Sequence, residues 1–123
     1  MTRHLPYDRS ERVADGIYQL VAESVVNDIS DPRLLGVSVT RVHVTKDLRI
    51  ARIYYHSIHS SAETKERAAG GFKSAAGFLR RLIAQSLSLK FTPELEFFYD
   101  ESIDISERVD ELIAGIKGES KHE

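Results

Sequence analysis

Two short runs rich in β-branched and aromatic residues, 37–45 and 50–57, stand only four residues apart, and this spacing constrains the fold most. The intervening Lys46-Asp47-Leu48-Arg49 suits a hairpin turn, so the runs read as paired antiparallel strands. Pairing Lys46 with Arg49 puts Val42, Val44, Ala51, Ile53 and Tyr55 on one face, which reads as core. Arg41, His43, Arg52, Tyr54 and His56 fall on the other, together with Val37, Val39 and Ile58. That second face is mixed, and a one-residue slip would exchange the two.

Helical patterns flank the hairpin. Asp8-Arg9-Ser10-Glu11 has capping-box spacing, and Val13, Ile17, Leu20, Val21 and Val25 then recur at helical intervals up to Asp31-Pro32. The residue before a proline is driven out of the helical region, so the first helix is expected to end there. A second capping box, Ser60-Ser61-Ala62-Glu63, opens a helical stretch reaching about Leu87. Gly70, Gly71 and Gly77 lie within it, and each costs about 1 kcal/mol relative to alanine. A break at Ala75-Ala76-Gly77 is therefore expected, giving two helices, the second with Phe78, Leu79, Leu82, Ile83 and Leu87 inward. After Thr92-Pro93, residues 95–99 read as a third strand. Asp104-Ile105-Ser106-Glu107 then caps a last helix, with Ile105, Val109, Leu112, Ile113 and Ile116 inward.

The order is α-β-β-α-α-β-α, an α+β domain whose third strand joins a three-stranded sheet through a helical crossover, with helices on one face. Less its last helix, this is the type II KH arrangement, which binds single-stranded nucleic acid. Residues 1–118 read as one KH-like domain and 119–123 as a short polar tail. At 123 residues the chain buries roughly two-thirds of its unfolded surface. It has no cysteine, which excludes disulfides, thiolate catalysis and cysteine zinc sites. No signal-like run occupies the N-terminus, and no apolar stretch approaches the roughly 18 residues that span a membrane. A cytoplasmic protein is expected.

Formal charge is segregated along the chain. Residues 1–32 carry net −3, residues 33–90 net +8 and residues 91–123 net −7, within an overall −2. Such a distribution suits one face for a polyanion and another that repels it, provided that folding preserves it.

Several short motifs, taken together, narrow the reading. Arg12-Val13, Asp31-Pro32-Arg33-Leu34 and Val39-Thr40 occur in order. Asp47-Leu48 and Ala51-x-Ile53-Tyr54 follow, then Ser74-Ala75-Ala76-Gly77-Phe78-Leu79-Arg80 and Thr92-Pro93-Glu94-Leu95-x-Phe97-x-x-Asp100. In order and spacing, over roughly residues 8–114, this series resembles the ribosome-binding factor A family. The resemblance implies a non-enzymatic factor that acts late in assembly of the small (30S) ribosomal subunit on its 16S rRNA. It also implies that an Ala-x-Gly kink, here Ala75-Ala76-Gly77, replaces the Gly-x-x-Gly loop of other KH domains. The literal Gly115-Ile116-Lys117-Gly118 lies at the end of the last helix and reads as a helix terminus. The short tail carries over no function of a long C-terminal extension.

A kink would free backbone amides for a phosphate, and small side chains there would let an RNA backbone approach. Lys73, Arg80 and Arg81 lie within about one helical turn of it. Lys46, Arg49, Arg52 and Lys90 would extend the basic face. The plainer alternative is that Ala75 and Gly77 serve close helix–sheet packing. Arg33 reads either as an RNA contact or as a local hydrogen-bond donor. Tyr54 and His56 read as base-stacking residues if their face is open, with core as the alternative for Tyr54. His56-x-x-His59 lacks a third ligand at usable spacing, so no metal site is expected. Asp100, Glu101 and Asp104 are too close in sequence to converge for acid–base work. No cofactor, small-molecule substrate or catalytic residue is expected. The partners are the small subunit and its rRNA, met by a monomer. The competing function is a KH-like protein-interaction module that uses its acidic last helix, around Glu107 and Asp110, without binding RNA.

Overall fold

Helix α1 begins where Asp8 caps it, the carboxylate accepting from the Glu11 amide at 3.0 Å. A computed structural model describes residues 8–122, and the side chains of 104–107 and 116–122 lie outside what it describes. Helix α1 (Arg9–Asn27) buries Val13, Ile17, Val21 and Val25 along one stripe, as its spacing requires. It stops at Asn27, short of Asp31-Pro32. That corner instead opens a separate 3-10 turn, Pro32–Leu34, in which Asp31 caps the Arg33 amide at 2.9 Å.

Strands β1 (Val37–Val44) and β2 (Ile50–Ser57) pair antiparallel, and β3 (Glu94–Tyr99) adds parallel to β2, giving sheet order β1-β2-β3. Near the turn the register is the expected one, with Val44 opposite Ala51 and Val42 opposite Ile53. Between Val39 and Arg41 the register then shifts, and Thr40 is the extra residue of a bulge. One inserted residue reverses the alternation beyond it. Val37 and Val39, expected on the outer face, therefore turn inward and are buried. The bulge resolves the mixed face that the alternation alone produces. Tyr54 stays on the outer face, half-buried, with the Arg41 guanidinium 3.7 Å from its ring centre.

Helix α2 (Ala62–Ser86) is capped by Ser61, whose hydroxyl accepts from the Thr64 amide at 3.1 Å. It runs unbroken for 25 residues, so the expected division into two helices does not occur. Two of its glycines serve packing. A Cβ on Gly71 would lie 2.9 Å from both Cγ and Cδ2 of buried Leu34, and one on Gly70 would lie 3.2 Å from Arg33 Nη1. The 3-10 corner docks where the helix has no side chains to obstruct it, and this contact offsets the helix-propensity cost. Gly77 is different: its nearest neighbour would be Arg81 Nη1 at 3.5 Å, an ordinary contact. Gly71→Ala is expected to destabilise by about 1 kcal/mol, overpacking exceeding the propensity gain. Gly77→Ala is expected to stabilise by about 0.5–1 kcal/mol. Denaturant midpoints of the two variants should move in opposite directions.

Helices α1 and α2 share one face of the sheet, α1 against β1 and α2 against β3. At the centre of this core, Phe72 lies between Tyr55 and Phe97, at centroid distances of 4.6 and 4.8 Å. Leu79 and Ile83 are fully buried, whereas Phe78, expected inward, is 40% exposed.

Asp100, at the end of β3, is the buried polar anchor. Its side chain accepts from Thr40 Oγ1 at 2.6 Å, Arg41 Nε at 3.3 Å, and both the amide and hydroxyl of Ser102. The bulged Thr40 thus ties the first strand to the last. Burial alone would raise the Asp100 pKa. The bonds from Ser102, Thr40 and Arg41 outweigh it and hold the carboxyl at about 2, against an ordinary 3.8. A depressed carboxyl pKa stabilises the fold above the unfolded value and ceases to do so as pH falls through the folded one. This is worth on the order of 2 kcal/mol. The stability gap between the natural chain and Asp100→Asn should therefore be full above about pH 4 and close towards pH 2, as read by chemical denaturation across that range.

Helix α3 (Glu101–His122) starts directly after Asp100, so the cap falls on Asp100 and not on Asp104, which lies in the first turn. The Asp104 and Glu107 side chains are outside the described residues. Val109, Leu112 and Ile113, expected inward, are 48%, 64% and 46% exposed, and Ile105 and Ile116 are not described. Helical backbone continues through Gly115 and Gly118, so these glycines do not terminate it. Among the described residues no helix is long and apolar enough to cross a membrane.

Candidate nucleic-acid interface

Folding pairs much of the basic middle with the acidic ends. Arg33 meets Asp31 at 2.7 Å, Arg41 meets Asp100 at 3.3 Å and Lys46 meets Asp8 at 3.6 Å. Arg52 meets Glu96, and Lys65 meets Glu101, both at 3.5 Å. Each of these acids lies in residues 1–32 or 91–123. The segregation of charge along the chain is thus partly cancelled in space.

The remaining cations are the informative ones. Among the described residues, Arg49, Arg67, Lys73, Arg80, Arg81 and Lys90 of the basic middle make no ion pair. Lys73, Gly77 and Arg81 follow one another at four-residue steps along the exposed side of α2, so they share a face. Arg80 lies beside them with a different task. Its Nε donates to the Pro93 carbonyl and its Nη2 to the Thr92 carbonyl, both at 3.2 Å. The Glu94 amide in turn donates to the Arg49 carbonyl at 2.8 Å. These bonds bring the hairpin end of β2, the entrance to β3 and the second half of α2 together at one end of the domain.

A shallow groove of about 400 Å³ lies there, lined by Arg80, Arg81, Ala84, Lys90, Phe91 and Thr92. Phe91 is 75% exposed, and Lys90 Nζ is 5.6 Å from its ring centre. Sequence reading named Arg80, Arg81 and Lys90 but missed Phe91. The available signal was a phenylalanine between a lysine and a Thr-Pro corner, in a segment with no strand or helix periodicity to bury it.

Other expected site residues are placed elsewhere. Ala75 is buried and Ala76 half-buried, so the packing alternative holds for Ala75, while Gly77 is open to solvent. With α2 unbroken, there is no new helix start at Gly77 and no freed set of amides for a phosphate. Lys46 lies over a hollow shared with Asp8, Glu11 and Asp15, an acidic setting unsuited to RNA. Arg52 is on the outer sheet face, engaged by Glu96. Arg33 makes a two-pronged bond to Asp31 and donates to Ser74 Oγ at 3.1 Å, fastening the 3-10 corner to α2. The Arg33 hydrogen bond pulls the Asp31 carboxyl below its ordinary pKa. Arg33 is thus a structural donor. Among the described residues no group of three or more potential ligands could hold a metal ion.

The arrangement left by these pairings is a strip of positive charge along α2, unpaired among the described residues, floored at Gly77 by bare backbone and ending at an exposed aromatic ring. The family model for ribosome-binding factor A matches residues 9–113. The ribosome-binding factor A of Geobacter sulfurreducens is 44% identical over 113 residues, 92% of this chain and 95% of that protein. The solution structure of a candidate ribosome binding factor A from Thermotoga maritima superposes with a TM-score of 0.66 at 30% identity, covering 78% of this chain and 91% of that one. A Thermus thermophilus ribosome binding factor A, fitted as a homology model into a cryo-electron-microscopy map of a 30S complex, gives a TM-score of 0.61 at 20% identity. It covers 76% of this chain and 97% of that one.

Proposed function

The chain belongs to the ribosome-binding factor A family, and from that premise we propose that it associates with the free small (30S) ribosomal subunit and assists late maturation of its 16S rRNA. It acts as a cytoplasmic, monomeric, non-enzymatic assembly factor with no small-molecule substrate. Residues 1–118 form its single RNA-binding domain. The Thermus relative fitted into a 30S complex supports this choice of partner.

The observation that carries the RNA reading is the strip of Lys73, Arg81 and Lys90, left without acidic partners among the described residues while so many other cations of the basic middle are neutralised. Side chains free of internal ion pairs release counterions when they meet phosphates, and this drives binding. Gly77, in the middle of the strip, lets an RNA backbone approach the helix. Gly77→Ala therefore separates binding from stability. A methyl against a closely apposed backbone costs on the order of 1 kcal/mol, about fivefold in affinity. The same substitution leaves the fold at least as stable. A variant both more stable and weaker on small subunits identifies Gly77 as contact surface. Equal affinity assigns Gly77 to the helix alone.

The maturation step is tested in cells lacking the gene. Free small subunits carrying incompletely processed 16S rRNA should accumulate, and the natural chain should reverse this where Arg81→Glu/Lys90→Glu does not. Normal rRNA ends and subunit ratios without the gene would remove maturation from the reading.

A second reading, a protein-interaction module working through α3, is favoured by one observation. Val109, Leu112 and Ile113 stand exposed on a helix that also presents Asp110 and Glu111. Under it, Val109→Asp/Ile113→Asp abolishes subunit association while Arg81→Glu/Lys90→Glu does not. The RNA reading requires the opposite pattern.

A further inference from the structure

We propose that Phe91 is a stacking platform for one unpaired base, so that the groove beside α2 takes a single-stranded RNA segment, with Arg81 and Lys90 holding its phosphates. The inference rests on the RNA reading above and adds to it the structural class of the RNA and the residue that selects it.

Phe91 is a large apolar ring left 75% exposed, while Phe72 is fully buried and Phe97 is packed against the core. No aromatic ring stacks on it among the described residues. Its loop is nevertheless fixed. Arg80 donates to the carbonyls of Thr92 and Pro93, Pro93 is buried, and the next amide, of Glu94, donates to Arg49. Arg80 is thus a positioning residue, holding the ring on a braced corner at the edge of the groove. A ring held in solvent on a rigid support loses little conformational freedom when a flat ligand covers it.

The surroundings identify that ligand. Arg80, Arg81 and Lys90 line the same groove, so an apolar protein surface covering Phe91 would have to strip water from three cations. A nucleotide supplies what this site lacks, a flat apolar face for the ring and an anionic backbone for the charges. Bases within a duplex are stacked on their neighbours and cannot offer that face, whereas bases in loops, bulges and ends can. Every base has such a face, so the platform discriminates unpaired from paired RNA and is tolerant of sequence.

The chain contains no tryptophan, so Phe91→Trp introduces a single reporter at an exposed position. Full-length variant protein is titrated with single-stranded oligoadenylate of about ten nucleotides, with duplex RNA of equal length and with inorganic polyphosphate. The single strand should quench the tryptophan strongly, and duplex and polyphosphate only weakly. In the natural background, Phe91→Leu should weaken oligoadenylate at least fivefold and leave polyphosphate binding unchanged. Stacking is overturned if duplex quenches as strongly as single strand. It is equally overturned if Phe91→Leu binds oligoadenylate as the natural chain does, although Arg81→Glu/Lys90→Glu does not; RNA binding through charge would then stand. If the natural chain binds neither oligoadenylate nor small subunits, the RNA reading itself fails, and the inference with it.

Discussion

Phe72→Ala should lower the stability of the chain by about 4 kcal/mol, the loss expected when a fully buried phenylalanine is cut back to a methyl group. Phe72 has no solvent exposure, and its ring lies between those of Tyr55 on β2 and Phe97 on β3. It is the point where α2 is joined to both strands. Removing it forfeits apolar burial and two ring contacts, and leaves a cavity that a three-stranded sheet cannot close without bending. Domains of this size have about 5–15 kcal/mol in total, so the variant approaches its unfolding threshold. Urea denaturation gives the number directly. Phe72→Leu, which fills most of the space, should cost less than half as much. Equal costs would mean that the ring stacking contributes and the volume does not.

The second large effect concerns binding. Arg81→Glu/Lys90→Glu should reduce affinity for small subunits roughly 100-fold at low salt, about 2.7 kcal/mol, with little change in stability, because neither residue makes an ion pair among the described residues. If the natural chain neutralises about four phosphates, log K falls with log salt at a slope of about −3, a loss of about 60-fold for a fourfold rise in salt. Removing two contacts should roughly halve that slope. Arg80 is a poorer choice for reversal, since its guanidinium braces the corner at Thr92 and Pro93, and Arg80→Glu would disturb both loop and charge.

Much of the fold was legible because it depends on local periodicity. The α1 stripe, the hairpin register near Lys46 and Arg49, and a third strand after Thr92-Pro93 follow from spacing and punctuation, whereas its parallel place beside β2 is set by the fold. Three features were hidden because each depends on which contacts distant parts of the chain make or withhold. The apolar alternation changes phase between Val39 and Val42, but that Thr40 is the bulged residue is fixed by its bond to Asp100, sixty residues away. The glycines of α2 count as helix breakers by propensity, yet Gly71 makes room for Leu34 from the 3-10 corner, and the helix continues. The apolar stripe of α3 reads as core from its spacing, but nothing among the described residues covers Val109, Leu112 and Ile113. The site shows the same limit. Composition locates a basic middle segment, but which cations remain unpaired is decided by acids brought back from both ends of the chain. Of the ten residues expected to form the interface, Lys73, Gly77, Arg81 and Lys90 line the open strip, and Arg49 and Arg80 shape its end. Ala75, Ala76, Lys46 and Arg52 are buried, half-buried or engaged elsewhere.

The most direct measurement is co-sedimentation of the full-length chain and its Arg81→Glu/Lys90→Glu variant with purified small subunits and, separately, with mature ribosomes, over a range of salt. The natural chain should travel with free small subunits at low salt and dissociate as salt rises. The variant should remain at the top of the gradient while keeping the natural denaturation midpoint. A folded variant that sediments with small subunits as the natural chain does would contradict an RNA interface along α2 and direct attention to the exposed face of α3.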